Sequence, residues 1–208
     1  FPGVEELIGD RENDLSALRG RSWDVLIDTS GVEPRWVRRS SELLHAAVSR
    51  CVYVSSTAAY AKGGGLRRRE DSPIWSASTD EAKRYGEKKA ASEREVLRCF
   101  AGRATIVRPA DLFGPHDYDR RHGFVRWPVR ARAGGEMLVA GRPEDTVAFT
   151  DARDLATWVA KIVEGEVRGA FNVAGPPFTL AALVDAAITV GGPVTPVWVT
   201  REWLASEG

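Results

Sequence analysis

What most constrains the fold is an alternation of short apolar runs with longer helical stretches along the 208 residues. Strands are expected at 4–10 (VEELIGD), 23–31 (WDVLIDTSG), 51–56 (CVYVSS), 104–109 (ATIVRP), 137–140, 146–150 and 170–175 (AFNVAG). Helices are expected at 34–48, with Pro34 near the first turn, and at 78–100, where Ser78 and Thr79 precede acids as candidate caps. Further helices are expected around 124–133 and at 153–165. Strands separated by helices argue for a mostly parallel, doubly wound α/β sheet with helices on both faces. Ligands in such sheets bind at the carboxyl ends of the strands. Asp10, the turn at 29–31, Ser56 and the segment after Pro109 all fall at such ends.

Composition narrows the class further. A hydrophobic share of 43% and a charged share of 28% suit an ordinary soluble globular chain. The formal net charge is zero, which leaves no basic excess for nucleic acid or a membrane surface. No apolar run is long enough to span a bilayer and no signal peptide is read, so the expected location is cytoplasmic. Cys51 and Cys99 are too few for a disulfide framework or a metal knuckle. His116 and His122 have no third ligand nearby in sequence and read as loop histidines, so no metal is expected. Asp151 and Asp154 read as caps of the helix at 153–165, and 62–71 (KGGGLRRRED) as an exposed loop.

One pair carries chemistry. Tyr85 and Lys89 in RYGEKKAASE lie four apart in a helical context, which puts them on one face. From there an ammonium can stabilise a phenolate, at about 1.4 kcal/mol for each unit by which the tyrosine pKa falls. Ser56, at a strand end, precedes Tyr85 by 29 residues. The pair alone leaves open that both are solvent-facing positions of a Lys/Glu-rich helix, and Ser56 alone could merely end its strand.

In order and spacing, VYVSSTAAYA, YGEKKAASE, VRPADLFGPHD, FTDARDLATWVAK and FNVAG resemble the extended short-chain dehydrogenase/reductases, the NAD-dependent epimerase/dehydratases. The resemblance implies that Tyr85 is the acid/base, that Ser56 hydrogen-bonds the reacting oxygen, and that Lys89 lowers the tyrosine pKa and contacts the nicotinamide ribose. It further implies that Asp10 contacts adenine, that Thr29, Ser30 and Gly31 line the cofactor, and that the backbone at Arg108–Ala110, through Pro109 and Ala110, borders the nicotinamide. Two positions depart from the nucleotide-sugar members. Val147 stands where an arginine often precedes the aromatic Phe149, and Asp111 stands where an asparagine often contacts substrate. An aspartate there would repel an anion, leaving Arg142 and Arg153 as candidates to compensate.

No strand–glycine turn–helix that could hold a dinucleotide pyrophosphate is read in the sequence. Against the family, the chain begins at about the third strand. The expectation is a partial Rossmann-like sheet, its first βαβ missing, over residues 1–108. A mainly substrate-binding portion follows at 109–208, from which the helix at 153–165 and the strand at 170–175 return to the sheet. The strand at 4–10 would be orphaned, and that at 24–29 would become an apolar edge. The function implied is an NAD- or NADP-dependent oxidoreductase of the epimerase type, acting on a hydroxyl or carbonyl of a sugar-like small molecule. A homodimer through 34–48 and 78–98 is implied too. On this reading the chain is an incomplete fragment that alone binds cofactor poorly. The alternative is a non-catalytic regulatory or RNA-associated member of the superfamily.

Overall fold

A computed structural model describes residues 3–62, 68–117 and 124–207. In chain order the elements are β1 (Trp23–Asp28), α1 (Pro34–Leu44), β2 (Val48–Val54), α2 (Tyr85–Cys99), β3 (Ala104–Pro109), β4 (Asp111–Phe113), α3 (Arg126–Arg132) and β5 (Glu136–Ala140). They continue as β6 (Thr146–Val147), β7 (Phe149–Asp151), α4 (Ala152–Glu164), β8 (Gly169–Val173), β9 (Phe178–Thr179), α5 (Leu180–Gly191), β10 (Thr195–Val199) and α6 (Arg201–Glu207). They form two compact units: 1–109 with 157–173, and 110–156 with 174–208.

The first unit is built on a four-stranded sheet in the order β1-β2-β3-β8. All three pairings are parallel, with Asp28 beside Tyr53, Val54 beside Val107 and Pro109 beside Val173. The carboxyl ends of the strands therefore lie side by side. β2 and β3 are rich in valine and isoleucine and are buried on both faces, as central parallel strands should be. Val37 of α1, Val96 of α2 and Phe100 just past its end join Val48, Tyr53 and Ile106 in the core. β1 and β8 are the edges of this sheet among the described residues, and Ile27 of β1 is exposed.

The segment 4–10 is not a strand. Its backbone forms no ladder among the described residues beyond an isolated bridge from Asp10 to Asp14, and Val4 and Ile8 are exposed. An extended run without a partner cannot satisfy its own donors and acceptors as a strand does. The expected helix at 78–100 begins later, at Tyr85. Ser78 closes a separate turn, its hydroxyl donating to Glu81 at 2.7 Å, and the chain re-extends at Arg84 before α2 starts.

In the second unit, 146–150 divides into two strands because its halves have different partners. β6 pairs antiparallel with β9, and β7 pairs parallel with β4. β5 pairs with β10, and α5 packs Leu180, Leu183 and Val184 onto Met137 and Val139. The elements after 175 carry much of this core, beyond the last strand read from the sequence. Asp151 accepts the backbone N–H of Arg153 at 2.8 Å and so caps α4.

Candidate active site

The carboxyl end of β1 is organised by an acid the sequence reading passed over. Asp28 is buried and accepts the backbone N–H groups of Ser30 (3.2 Å) and Gly31 (2.8 Å), which folds 28–31 into a tight turn. Arg11 grips the same carboxylate with both terminal nitrogens, at 2.8 and 2.6 Å, and also reaches Ser30 and Ser40. Burial opposes ionisation of Asp28, but Arg11 and the two N–H groups outweigh it and hold its pKa below the usual range. Gly31 is required by space: a Cβ there would lie 2.7 Å from Val37 Cγ2 and 2.8 Å from Asp28 Oδ2. The signal for Asp28 was an acid ending an apolar strand three residues before a glycine.

Asp10 lies in the exposed turn before this. It accepts the N–H of Glu12 at 2.9 Å and Asn13 Nδ2 at 2.7 Å, and both bonds lower its pKa. Those contacts keep its carboxylate within its own turn.

At the end of β2 the two serines separate in role. Ser55 is buried, and its hydroxyl has no hydrogen-bond partner among the described residues. Ser56 is half-buried, and its Oγ accepts the N–H of Ala58 at 3.1 Å, capping a short 3-10 turn at 57–59. α2 docks beneath that turn through Gly86, where any Cβ would overlap the carbonyl oxygen of Ala58. The helix start itself is closed locally by Glu87, whose carboxylate accepts the backbone N–H groups of Lys83 and Arg84, both at 3.0 Å.

Tyr85 is the first residue of α2 and half exposed, and Lys89 follows one turn later. Lys89 is 3% exposed. Its Nζ donates to the carbonyl oxygens of Gly31 (2.9 Å) and Val54 (2.8 Å) and lies 4.9 Å from the centre of the Tyr53 ring. Burial pulls its pKa from 10.5 to about 8, against the opposing pull of Asp28 and Glu93. One side chain thus ties α2 to the turn after β1 and to the end of β2.

Further along α2, Glu93 is fully buried and forms a two-point ion pair with Arg108 of β3, at 2.9 and 2.7 Å. Arg108 also donates to Tyr60 Oη (2.8 Å) and to the Glu70 carbonyl oxygen (3.0 Å), while Tyr60 donates to Asn172 of β8 at 2.7 Å. This network closes under 68–71, which with Lys62 is the described part of the loop expected at 62–71. Glu93 shares the Tyr85–Lys89 face at helical spacing, a signal the reading did not use.

Of the candidate residues, Thr29, Ser30, Gly31, Ser56, Tyr85, Lys89 and Pro109 all belong to the first unit, at the strand ends or at the start of α2. Ala110, Asp111 and Arg142 belong to the second. Asp111 lines a pocket of about 770 Å³ within that unit, with Trp127 and Phe149 among its walls. Arg142 is exposed and pairs with Glu144 (3.5 Å) and Asp145 (3.3 Å), and it does not line that pocket. Arg153 is likewise held by Asp151, at 2.6 Å. Among the described residues no group of three or more His, Cys, Asp or Glu is placed to hold a metal. No described helix is long and apolar enough to cross a membrane. His122 and Gly63–Gly65 lie outside the described residues.

Residues 37–174 match the NAD dependent epimerase/dehydratase family, which is more than half of the chain. The chain belongs to that family. No curated protein is similar to this family member at a significant level. Among solved structures it resembles a dTDP-4-dehydrorhamnose reductase from Clostridium acetobutylicum, with TM-score 0.65 and 17% identity over 85% of this chain and 66% of that one. It also resembles a dTDP-glucose 4,6-dehydratase from Bacillus anthracis in complex with NAD, with TM-score 0.69 and 17% identity over 86% and 60%. A UDP-N-acetylglucosamine 4-epimerase from Bacillus cereus is similar too, at TM-score 0.68 and 17% identity over 85% and 66%. At these identities the likeness is one of fold. The chain spans less than two thirds of the length of each of these structures.

The family implies a nicotinamide cofactor, and the strand ends of this member fit one in part. The buried Ser55 hydroxyl is an unpartnered polar atom beside Ser56, and an unmet hydrogen bond of this kind costs about 1–3 kcal/mol. Lys89 has three N–H donors and two of them are engaged by protein. Both suit the ribose and nicotinamide end. For the diphosphate end, the turn between β1 and α1 holds a single glycine, Gly31, and no turn with several glycines joins a strand to a helix among the described residues.

Proposed function

We propose that this chain carries the proton-transfer machinery of an NAD- or NADP-dependent oxidoreductase or epimerase acting on a hydroxyl or carbonyl group of a sugar-like substrate. The observation that supports it is the pairing, one helical turn apart, of half-exposed Tyr85 with a buried Lys89 whose pKa is lowered to about 8. On this reading the Tyr85 oxygen takes the proton from a substrate hydroxyl, or returns it to a carbonyl oxygen, and Lys89 supplies the positive charge that favours the deprotonated phenol. Ser56 donates to the same substrate oxygen. A bound nicotinamide supplies hydride acceptance and return at the adjacent carbon. Residues 110–156 with 174–208 recognise the rest of the substrate. The diphosphate-holding turn comes from a longer polypeptide of which this chain is a part.

The test is a fluorescence titration with NADH and NADPH of the 208-residue chain beside a form extended upstream. The extended form is expected to bind one cofactor. Its Tyr85→Phe variant should bind equally well, with turnover lowered by about 100-fold or more. Binding by neither form would favour a non-catalytic scaffold. Saturation of the short chain at micromolar cofactor would overturn the assignment of the missing turn to a longer polypeptide.

A further inference from the structure

The pocket in the second unit is walled by aromatic and aliphatic groups. Phe149 forms one side and is held by neighbouring rings: Phe124 edge-on at 5.1 Å and Phe178 stacked at 6.0 Å. Met137 and Leu183 make a buried floor. Val129 and Leu138 also line it yet are 42% and 51% exposed, which leaves apolar surface open to a ligand.

Its charges cancel. Asp111 and Asp145 line it together with Arg126 and Arg130. Arg130 is engaged by the carbonyl oxygens of Gly134 (2.9 Å) and Glu136, and Asp145 is engaged by Arg142. Arg126 makes no hydrogen bond among the described residues, and its guanidinium lies 5.0 Å from the centre of the Trp127 ring. One cation stacked on an indole, in a pocket whose lining also includes Asp111, is a poor receptor for a diphosphate, which needs several convergent donors. It suits a flat ring with a single acidic substituent.

We infer that this pocket takes a flat, largely apolar group bearing at most one negative charge, such as an aromatic carboxylate, in place of a nucleoside diphosphate. Phe149 and Trp127 would flank the ring and Arg126 would receive the acid. As a statement about substrate class this rests on the oxidoreductase reading, but the pocket can be tested without turnover.

The experiment is calorimetric titration of the 208-residue chain with naphthoate and, separately, with UDP. Naphthoate should bind with a Kd between roughly 10 and 500 μM, while UDP shows no saturation up to about 1 mM. Arg126→Gln, at an exposed position, should weaken naphthoate about fivefold and leave uncharged naphthol unchanged. Ala133→Trp, exposed at the pocket wall, should weaken both by about tenfold or more. Should that variant fail to fold by circular dichroism, the Arg126→Gln comparison decides. Absence of naphthoate binding, UDP binding tighter than naphthoate, or naphthoate binding indifferent to Arg126→Gln would each overturn the inference. Tyr85→Phe should leave naphthoate affinity unchanged, so a failure of the catalytic reading would not be mistaken for a failure here.

Discussion

Lys89 Nζ stands 2.9 Å from the carbonyl oxygen of Gly31, 58 positions earlier in the chain. This contact gives the lysine a structural duty alongside the one the family implies. Gly31 O is also held by Tyr53 Oη at 2.7 Å, whereas Lys89 is the side chain that reaches Val54 O.

A pH dependence follows from that burial. Lysine titrates at 10.5 in the unfolded reference and at about 8 in the folded chain. Between those values the unfolded state holds the extra proton, so stability contributed by this group rises with pH through the window. Below pH 8 both states are protonated and the contribution is flat. In urea melts, the stability of wild type relative to Lys89→Met should grow by on the order of 1–3 kcal/mol between about pH 7.5 and pH 10. A constant difference across that range would mean that the lysine is not desolvated.

Ser56 should show two separable effects. Removing its hydroxyl leaves the N–H of Ala58 without its cap, and Ser56→Ala should lose about 1 kcal/mol of stability. Loss of turnover in the cofactor-competent form should be much larger, about 100-fold. Ser56→Thr keeps the oxygen and should restore most of both. Equal small losses in stability and rate would assign Ser56 to the turn alone.

Gly86→Ala tests the seating of α2. The new methyl cannot coexist with the Ala58 carbonyl, so either the helix start or the 57–59 turn must move. Stability should fall by about 1–3 kcal/mol. Cofactor-dependent turnover should fall disproportionately, because a shift of about 1 Å at Tyr85 can cost 100-fold in rate. A variant as active as wild type would show that this contact does not position the tyrosine.

The Arg108–Glu93 pair should behave as a buried ion pair does. Arg108→Met alone strands a fully buried carboxylate and should cost about 3–5 kcal/mol. The double variant Arg108→Met with Glu93→Leu should recover much of that loss, and a double-mutant cycle by urea denaturation measures the coupling. Additive losses would show that each residue acts through its other contacts.

What could be read from the sequence was mostly what local pattern dictates. The β-branched runs of β2 and β3, the turn residues at 29–31 and the four-residue spacing of Tyr85 and Lys89 all appear in the structure near their expected positions. The segment 4–10 looked like a strand because strand propensity says nothing of whether a partner lies alongside. The start of α2 was misjudged because Ser78 and Thr79 have cap chemistry, while the acid that closes the observed start is Glu87, which accepts the N–H groups of Lys83 and Arg84. Asp28 and Glu93 were missed, and Arg108 was read for its backbone alone, for a related reason. A charge is read as solvent-facing until its partner is known, and these find theirs 17 and 15 positions away. The pocket beside Asp111 draws on β4, α3, β5 and α5, and no single stretch of sequence displays it.

The ion pair at Glu93 also acts as an index mark. An α-helix turns about 100° per residue, so slipping α2 by one position would swing Glu93 away from Arg108 and leave both charges stranded. Apolar packing tolerates small rotations, whereas a two-point charged contact recognises one alignment. Tyr85 and Lys89, two turns or less ahead on the same helix, inherit that alignment. Changes that loosen this region should therefore convert molecules between a competent and an incompetent setting, lowering the active fraction more than the rate of each active molecule.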